Sequence, residues 1–588
     1  MEIIYPNYMK PEDYFKNPLC VSHKQYEALR YFFNNNMKAE ETAEKFGYKL
    51  SAFYSLIRDF RKHLKEDCPE DLFFKASRKG RGLKKNTDEL VSLIVNLRKK
   101  NFSVPEIKSV LDAQEYRVSE RYIYLKLRAE GFARLPRRDK KTRTDSRLPR
   151  IEAPKSTKMT FANESFSTGS AGLSCFLPYV LKYGLHTVIE ESLYPGTKSI
   201  NRLSSVLSFL SLKLSNVRRY STDDLWCMDR GGGLFAGLNV LPKTAWFSSY
   251  SHRVTRNMNL AFLKDLHRVW KENDLLEDTA NLDFTTIPYW GDDDHLENNW
   301  SGKRRHSLAS MLAVLAHYPD SGIIDYGDTN VMHKNQNAVI LEFLDFYKAG
   351  NPHGGSLKYL VFDSKFTNYT NLRKLDEENI KFITIRRRGK NIVERINNMS
   401  NSEKKKIKVV CAGNKYRTLY VCEEKVNLNG YGKKIRQIAI TGHGRVKPAL
   451  VITNDFDLET EDVVRKYARR ALVEKTISEQ AEFFHLNRVS SSVVIKVDFD
   501  LTMTILAHNL YRLLATDLER YSESADVSIY EKFILNSGEV EITDEVINVK
   551  LKKKRNLPTL LAAMQQYSDF TYSFLKNKKL IFSGMTIS

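Results

Sequence analysis

The chain has 588 residues, 42% of them apolar and 28% charged, which excludes a disordered protein and leaves enough apolar material for large cores in about four domains. It carries 93 Lys+Arg against 71 Asp+Glu, a formal net charge of +22, which favours a polyanionic partner, nucleic acid being the commonest. No run of about 18 apolar residues occurs, so a membrane span is excluded, and the acidic, aromatic start is not a secretory signal. Six cysteines, at 20, 68, 175, 227, 411 and 422, show no Cys-x2-Cys spacing, which speaks against a zinc module or disulfide scaffold and for a reducing compartment.

Residues 23–64 predict three short helices. Ala43 and Gly47 are followed by the apolar Phe53 and Leu56, the spacing of a helix-turn-helix. The last of these helices carries Arg58 and Arg61 as candidate DNA contacts. Residues 87–130 predict a second three-helix unit, with Ser starts and a proline in a first turn. Its final helix sets Arg121 and Lys126 beside Tyr122 and Tyr124. A plain helical bundle with a solvated basic face is the alternative for either unit; two in tandem on a basic chain favour DNA reading. A linker over 134–150 holds eight basic and two acidic residues, and Arg137, Arg138, Lys140 and Lys141 are its candidate phosphate contacts. Residues 165–277 look mainly helical. Gly231–Gly233 is expected as a loop, and without a following Gly-Lys-Ser/Thr it is not a phosphate loop.

From 278 the hydrophobic period changes. Three consecutive strands are expected around NLDFTTIPYW, HSLASMLAVLAHY and SGIIDYGDTN. A helix, a strand (LKYLVFDSK), a helix and a strand (IKFITIRRR) follow. Residues 387–447 hold strand-like pieces between basic turns. Another strand, PALVITND, precedes a long helix at 459–487 and a further one at 499–518. This order is a mixed sheet with helices around it. The C-terminal part offers a hairpin, a basic run at 552–555 and a closing helix.

Two aspartates stand on strands: Asp283 inside the first, and Asp363 at the end of the fourth. Carboxylates held at strand ends supply the hard oxygens that Mg2+ prefers. Two such ions, about 4 Å apart, clamp the attacking and leaving oxygens of a phosphoryl displacement. One such acid alone would ordinarily be structural. The long helix adds Tyr467, Arg470 and Glu474 at i, i+3 and i+7, one helical face.

These motifs resemble the DDE transposases of bacterial insertion sequences, which have a ribonuclease-H-like core. Within that group, members with a β-rich insertion carry Tyr-x2-Arg-x3-Glu-x6-Lys. Here Tyr467, Arg470 and Glu474 match, while Ala481 stands at the lysine position, so a lysine contact to the element end does not carry over. The resemblance implies a catalytic and metal-binding triad of Asp283, Asp363 and Glu474, holding two Mg2+ ions with Mn2+ able to substitute. It implies Mg2+-dependent cleavage at element ends and strand transfer into target DNA, in a homodimeric or larger synaptic complex that is cytoplasmic and nucleoid-associated. Tyr467 and Arg470 would hold DNA phosphate. The alternatives are a nuclease or recombinase that does not join strands, and a non-catalytic DNA-binding regulator.

The expected fold class is multidomain α+β and α/β. Residues 1–80 form the helix-turn-helix unit and 81–133 the second helical unit, with a basic linker at 134–164. A helical domain at 165–277 is followed by the catalytic core at 278–386 and 448–520, interrupted by the β-rich insertion at 387–447, and then by a C-terminal region at 521–588. Trp290 and Trp300 are expected to be packed in the core, and His295, His306 and His317 to be structural, because Mg2+ does not favour imidazole.

Overall fold

The computed structural model describes residues 21–65, 73, 87–99, 102–113, 116, 118–132, 159–217, 225–288, 296–301, 306–352, 354–411, 415–444, 447–472, 476, 482–486 and 494–585. The chain divides into a unit over residues 1–87 and another over 88–588.

The first unit holds α1 (Val21–Asn34), α2 (Ala39–Lys45) and α3 (Leu50–His63). Ala28, Leu29, Ala43, Phe53 and Ile57 form its buried centre, with Leu56 at the edge. Ala43, small and buried on α2, lets that helix pack closely against α1 and α3. Gly47 turns the chain between α2 and α3 at φ +61°, a left-handed conformation that favours glycine. Arg58 and Arg61 are exposed on α3.

In the second unit, α4 (Thr87–Lys99), α5 (Val104–Ala113) and α6 (Glu120–Ala129) enclose Ile94, Val95, Ile107, Leu111, Ile123 and Leu127. Ser103 and Glu106 form a capping box at the start of α5: Ser103 N donates to Glu106 Oε2 at 2.6 Å, and Glu106 N donates back to Ser103 Oγ at 3.5 Å. Ser119 caps α6 by accepting from Tyr122 N. The first helix of this trio is joined to the rest of the unit by Lys99, which is buried and donates to Val254 O. Burial pulls Lys99 down to about 7. A lysine depressed in the folded state adds stability above its ordinary pKa, and that stability is lost as pH falls through the folded value. Glu130 and Asp498, both raised by burial, act in the opposite sense. Comparison with Lys99→Met isolates the lysine. Between pH 7 and 9 the wild type should gain about 2 kcal/mol relative to that variant, read as a rising difference in Tm.

Strand β1 (Glu164–Thr168) is followed by α7 (Leu177–Lys182), α8 (Leu185–Glu191), α9 (Arg202–Leu214), α10 (Arg230–Phe235), α11 (Thr244–Tyr250) and α12 (Arg256–Glu272). Gly231–Gly233 lie within α10, not in a loop. Asp229 caps this helix, accepting from Gly231 N and Gly232 N. A side chain on Gly233 would meet Asn239 O at 2.6 Å, so close backbone approach explains the glycine there.

The central sheet comprises β2 (Thr279–Pro288), β3 (Asn298–Ser301), β4 (His306–His317), β5 (Ile324–Val331), β6 (Tyr359–Phe362), β7 (Lys381–Ile385), β8 (Lys405–Cys411), β9 (Lys415–Asn427), β10 (Lys434–Thr441) and β11 (Ala449–Thr453). Helices α13 (Val339–Gly350), α14 (Tyr369–Glu377) and α15 (Lys390–Asn398) lie between its strands in sequence. The strand order is β3-β4-β2-β6-β7-β11-β10-β9-β8, with β5 on β4. β4 runs antiparallel to β2, whereas β6 and β7 run parallel to it.

The three strands β8–β10, expected as an insertion, continue this sheet through β11. Alternating residues explain how both of its faces are covered. Ala439 and Leu450 pack with Ile396 of α15, a helix the sequence pattern did not predict. Ile438 and Val451 face the other way, onto Val463 and Val464 of α16 (Thr460–Arg469). Of the predicted long helix, α16 runs to Arg469; Arg470 N bonds Tyr467 O in a tighter turn, and Ala471 and Leu472 are helical again.

Helix α17 (Val494–Asp517) is apolar around most of its circumference and buried against β5, α9 and α12. After α18 (Asp526–Ile529), the strands β12 (Gly538–Ile542) and β13 (Val546–Leu551) form the expected hairpin. α19 (Leu557–Gln565), β14 (Thr571–Tyr572) and β15 (Lys578–Gly584) follow, so the last described element is a strand in place of the expected closing helix. β15 pairs parallel to β13, and β1 pairs with β12. One hydrophobic core runs from Met159 to Leu580, so the helical segment, the central sheet and the C-terminal strands are built on shared packing.

Candidate active site

The last residues paired between β2 and β6 are Leu282 and Phe362. Asp283 and Asp363 come one position later on each strand, and Asp363 keeps an extended backbone. Neighbouring strands lie about 4.8 Å apart and equivalent positions point to one face, so the two carboxylates stand side by side. Each is steadied by its own backbone: Asp283 Oδ1 accepts from Phe284 N at 2.8 Å, and Asp363 Oδ1 from Ser364 N at 2.7 Å. Just beyond the acids, Phe284 and Phe366 stack with centroids 3.9 Å apart and planes within 5°. This ring pair ties the two chain segments together next to the acids.

Helix α16 is fastened along β2 at three levels. Lys466 Nζ donates to Thr279 Oγ1 at 2.8 Å and lies over the Tyr359 ring at 4.4 Å. The fully buried Asn281 directs its Nδ2 to Arg469 O at 3.4 Å, where the helix ends. Arg470 Nη1 donates to Asp283 Oδ2 at 2.6 Å. Thr279, Asn281 and Asp283 alternate along β2, so one strand face carries the whole attachment. Tyr467 is one turn before Arg470, whose guanidinium carbon lies 5.7 Å from its ring centre. Burial, with Asp363 and Asp283 nearby, pushes Tyr467 up to about 12, so its hydroxyl stays protonated at neutral pH. Tyr467, Arg470, Asp283 and Asp363 therefore occupy one site.

Glu474 lies outside the described residues, as do Arg137, Arg138, Lys140, Lys141, Trp290 and His295. Among the described residues no group of three or more His, Cys, Asp or Glu is placed to hold a metal. The two aspartates nonetheless present a hard-oxygen donor set that fits a divalent ion. Arg121 is exposed on α6, and Lys126 lies over the Tyr122 ring at 5.6 Å.

The sequence pattern missed Lys466 and Asn281. The usable signal was spacing: Lys466 is four residues before Arg470 on a helix, and Asn281 is two before Asp283 on a strand. Trp300 corrects an expectation. It is 56% exposed on the short strand β3, because its neighbours there cover only part of the indole. His317 is buried and held down to about 3, hence neutral, as a structural histidine would be. Lys554 in the C-terminal basic run donates to Glu531 O at 3.1 Å, and Arg386, the first of three arginines after β7, donates to Gln437 Oε1 at 2.6 Å, so both hold neighbouring chain.

Residues 278–510 match a family model described as a transposase DDE domain. That span contains β2 to β11, α16 and most of α17. The chain thus carries the domain of a DDE-type polynucleotidyl transferase, a class that works with divalent metal ions. That match supports DNA transposition as the reaction this domain serves. Among solved structures, the cryo-EM structure of a piggyBac transposase synaptic complex with hairpin DNA is similar at 11% identity and a TM-score of 0.30, covering 62% of this chain and 80% of that one. No curated protein matches the chain. No described helix is long and apolar enough to cross a membrane.

Proposed function

We propose that Asp283, Asp363 and Glu474 hold two divalent ions, Mg2+ with Mn2+ as a substitute, for cleavage at element ends and transfer of the freed 3′ hydroxyl into target DNA. The observation that carries this is the register of Asp283 and Asp363 on adjacent parallel strands. A ribonuclease-H-like core is supported by the order β5-β4-β2-β6-β7, antiparallel on one side of β2 and parallel on the other. Glu474 enters through sequence spacing, four residues after the arginine that bonds Asp283.

Bound ions would polarise the scissile phosphate and activate the attacking oxygen. The chain's own part is positional. Backbone amides orient both aspartates, and the β2–α16 attachment sets the helix register. Tyr467 and Arg470 engage phosphate oxygens in this reading, through a neutral hydroxyl donor and a guanidinium fork. The two N-terminal helical units read the ends, with Arg58, Arg61, Arg121 and Lys126 as contacts. The linker residues Arg137, Arg138, Lys140 and Lys141 follow the phosphate backbone. A homodimer or larger synaptic complex brings two ends together, in the cytoplasm at the nucleoid.

Joining separates this reading from a nuclease. A pre-cleaved end duplex with a free 3′ hydroxyl, mixed with supercoiled plasmid and Mg2+, should yield covalently joined product. Cleavage of uncut ends without any joined product would replace transposition with simple hydrolysis.

A further inference from the structure

We infer that the second helical unit, α4–α6, is fixed to the catalytic core through a junction at Lys99, Glu130 and Arg256, and that this junction determines which phosphate of a bound end reaches Asp283 and Asp363. This rests on the proposed reading in which α6 contacts element-end DNA and the two aspartates cut it.

The junction is built on three consecutive core residues. Val254 accepts from Lys99 Nζ, and both residues are buried. Thr255 caps α12 by accepting from Met258 N at 3.3 Å. Arg256 makes a two-point ion pair with Asp328 of β5, in which Nε donates to Oδ1 at 3.1 Å. From the helical unit, Glu130 at the end of α6 faces Arg256, Lys126 and Lys99. Val91, Ser92 and Val95 of α4 stand across a cavity of about 180 Å3 from Thr255 and Arg256. Apolar packing is incomplete there, so the charged and polar contacts carry the hold.

The core side is stiff. Asp498 of α17 is buried and accepts from Asn259 Nδ2 of α12 at 2.7 Å and from Thr329 Oγ1 of β5 at 3.2 Å, so three elements meet in one network. Asp328 pairs with Val314 of β4, and Val314 pairs with Phe284 of β2, the residue after Asp283. Two strand spacings amount to about 10 Å. The unit is therefore anchored at the level of the acids in the sheet. A flexible tether as long as residues 134–150 would leave a reading helix free over about 20 Å, or roughly six base pairs. One fixed body holds a single spacing.

The test maps cut positions on a labelled end duplex, using the full chain and Mg2+. Wild type should cut at one phosphate. Lys99→Ala removes the bond to Val254 and should spread the cuts over about three neighbouring phosphates, the reach of roughly 10 Å of looseness. Lys99→Arg keeps a cationic donor and should restore the single position. Glu130→Lys sets a third cation beside Arg256 and Lys99; it should spread the cuts likewise and keeps the test readable if Lys99→Ala does not fold. Inserting about twenty Gly/Ser residues between Asp145 and Ser146 adds slack that matters only when the unit is free. It should leave the wild-type position unchanged and widen the spread of Lys99→Ala. Cuts spread by the insertion alone would overturn the junction, as would a single wild-type position in Lys99→Ala and Glu130→Lys at both linker lengths. Hydroxyl-radical footprints separate the two readings. If Arg121→Ala and Lys126→Ala leave the protected end unchanged, α6 does not read it and both readings fall. If they erase the protection while the junction variants still cut only at the wild-type phosphate, end reading stands and the junction is overturned.

Discussion

Replacing Asp283 by asparagine should lower Mg2+-dependent cleavage of element-end DNA by about a thousandfold or more, while the full chain still binds that DNA. Loss of a carboxylate ligand removes several kcal/mol of charge stabilisation at the scissile phosphate, and about 4 kcal/mol corresponds to that factor in rate. Asparagine keeps the side-chain shape and an oxygen that can still accept from Arg470, so the attachment of α16 to β2 should survive. Asp363→Asn should behave alike, because the two acids hold equivalent positions on adjacent strands. DNA binding should persist in both variants, since the proposed end-reading helices lie before residue 133. The measurements are strand cleavage on a labelled end duplex, a gel-shift titration of the same duplex, and a thermal melt. Cleavage retained in either variant would remove that residue from the proposed triad.

Glu474→Gln should be as inactive as the aspartate variants, whereas Glu479→Gln should cleave within about twofold of wild type. The helix segment offers several glutamates, and helical periodicity discriminates between them. In the continuous helix that the sequence predicts, at about 100° per residue, Tyr467, Arg470 and Glu474 would stay within a stripe of roughly 60°. Glu479 is five residues past Glu474, a rotation of about 500°, which leaves it some 140° around the helix. Glu482 returns toward the first face but lies about 12 Å further along the axis, and it is exposed. The bond from Arg470 to Asp283 anchors this register at its start. An active Glu474→Gln together with an inactive Glu479→Gln would shift the third acid by more than a turn and remove the basis for grouping it with Tyr467 and Arg470.

The interruption after Arg469 shows where such spacing arguments stop. VVRKYARRALVEK has no glycine or proline, so nothing local predicts a break. The turn coincides with a tertiary contact, the Asn281 amide at Arg469 O, and with the reach of Arg470 to Asp283. Gly231–Gly233 fails in the opposite direction. Three glycines suggest a loop, yet the Asp229 cap and the close approach of Asn239 make a short helix there.

What the sequence determined by itself is whatever depends on short-range periodicity. The strands at 279–288, 306–317 and 324–331, the helices of both N-terminal units, and the candidate acids at strand ends are all of this kind, because alternation at two and at about 3.6 residues needs no knowledge of distant partners. The tertiary structure decided the rest. Strand order placed Asp283 beside Asp363 across 80 positions of chain, and joined β8–β10 to the central sheet although their sequences suggested a separate insertion. It also set Arg470 on Asp283 and left Trp300 at the surface. These outcomes rest on pairing between segments far apart in sequence, where hydrogen-bond register and packing against a shared core choose among arrangements that local patterns leave equally open.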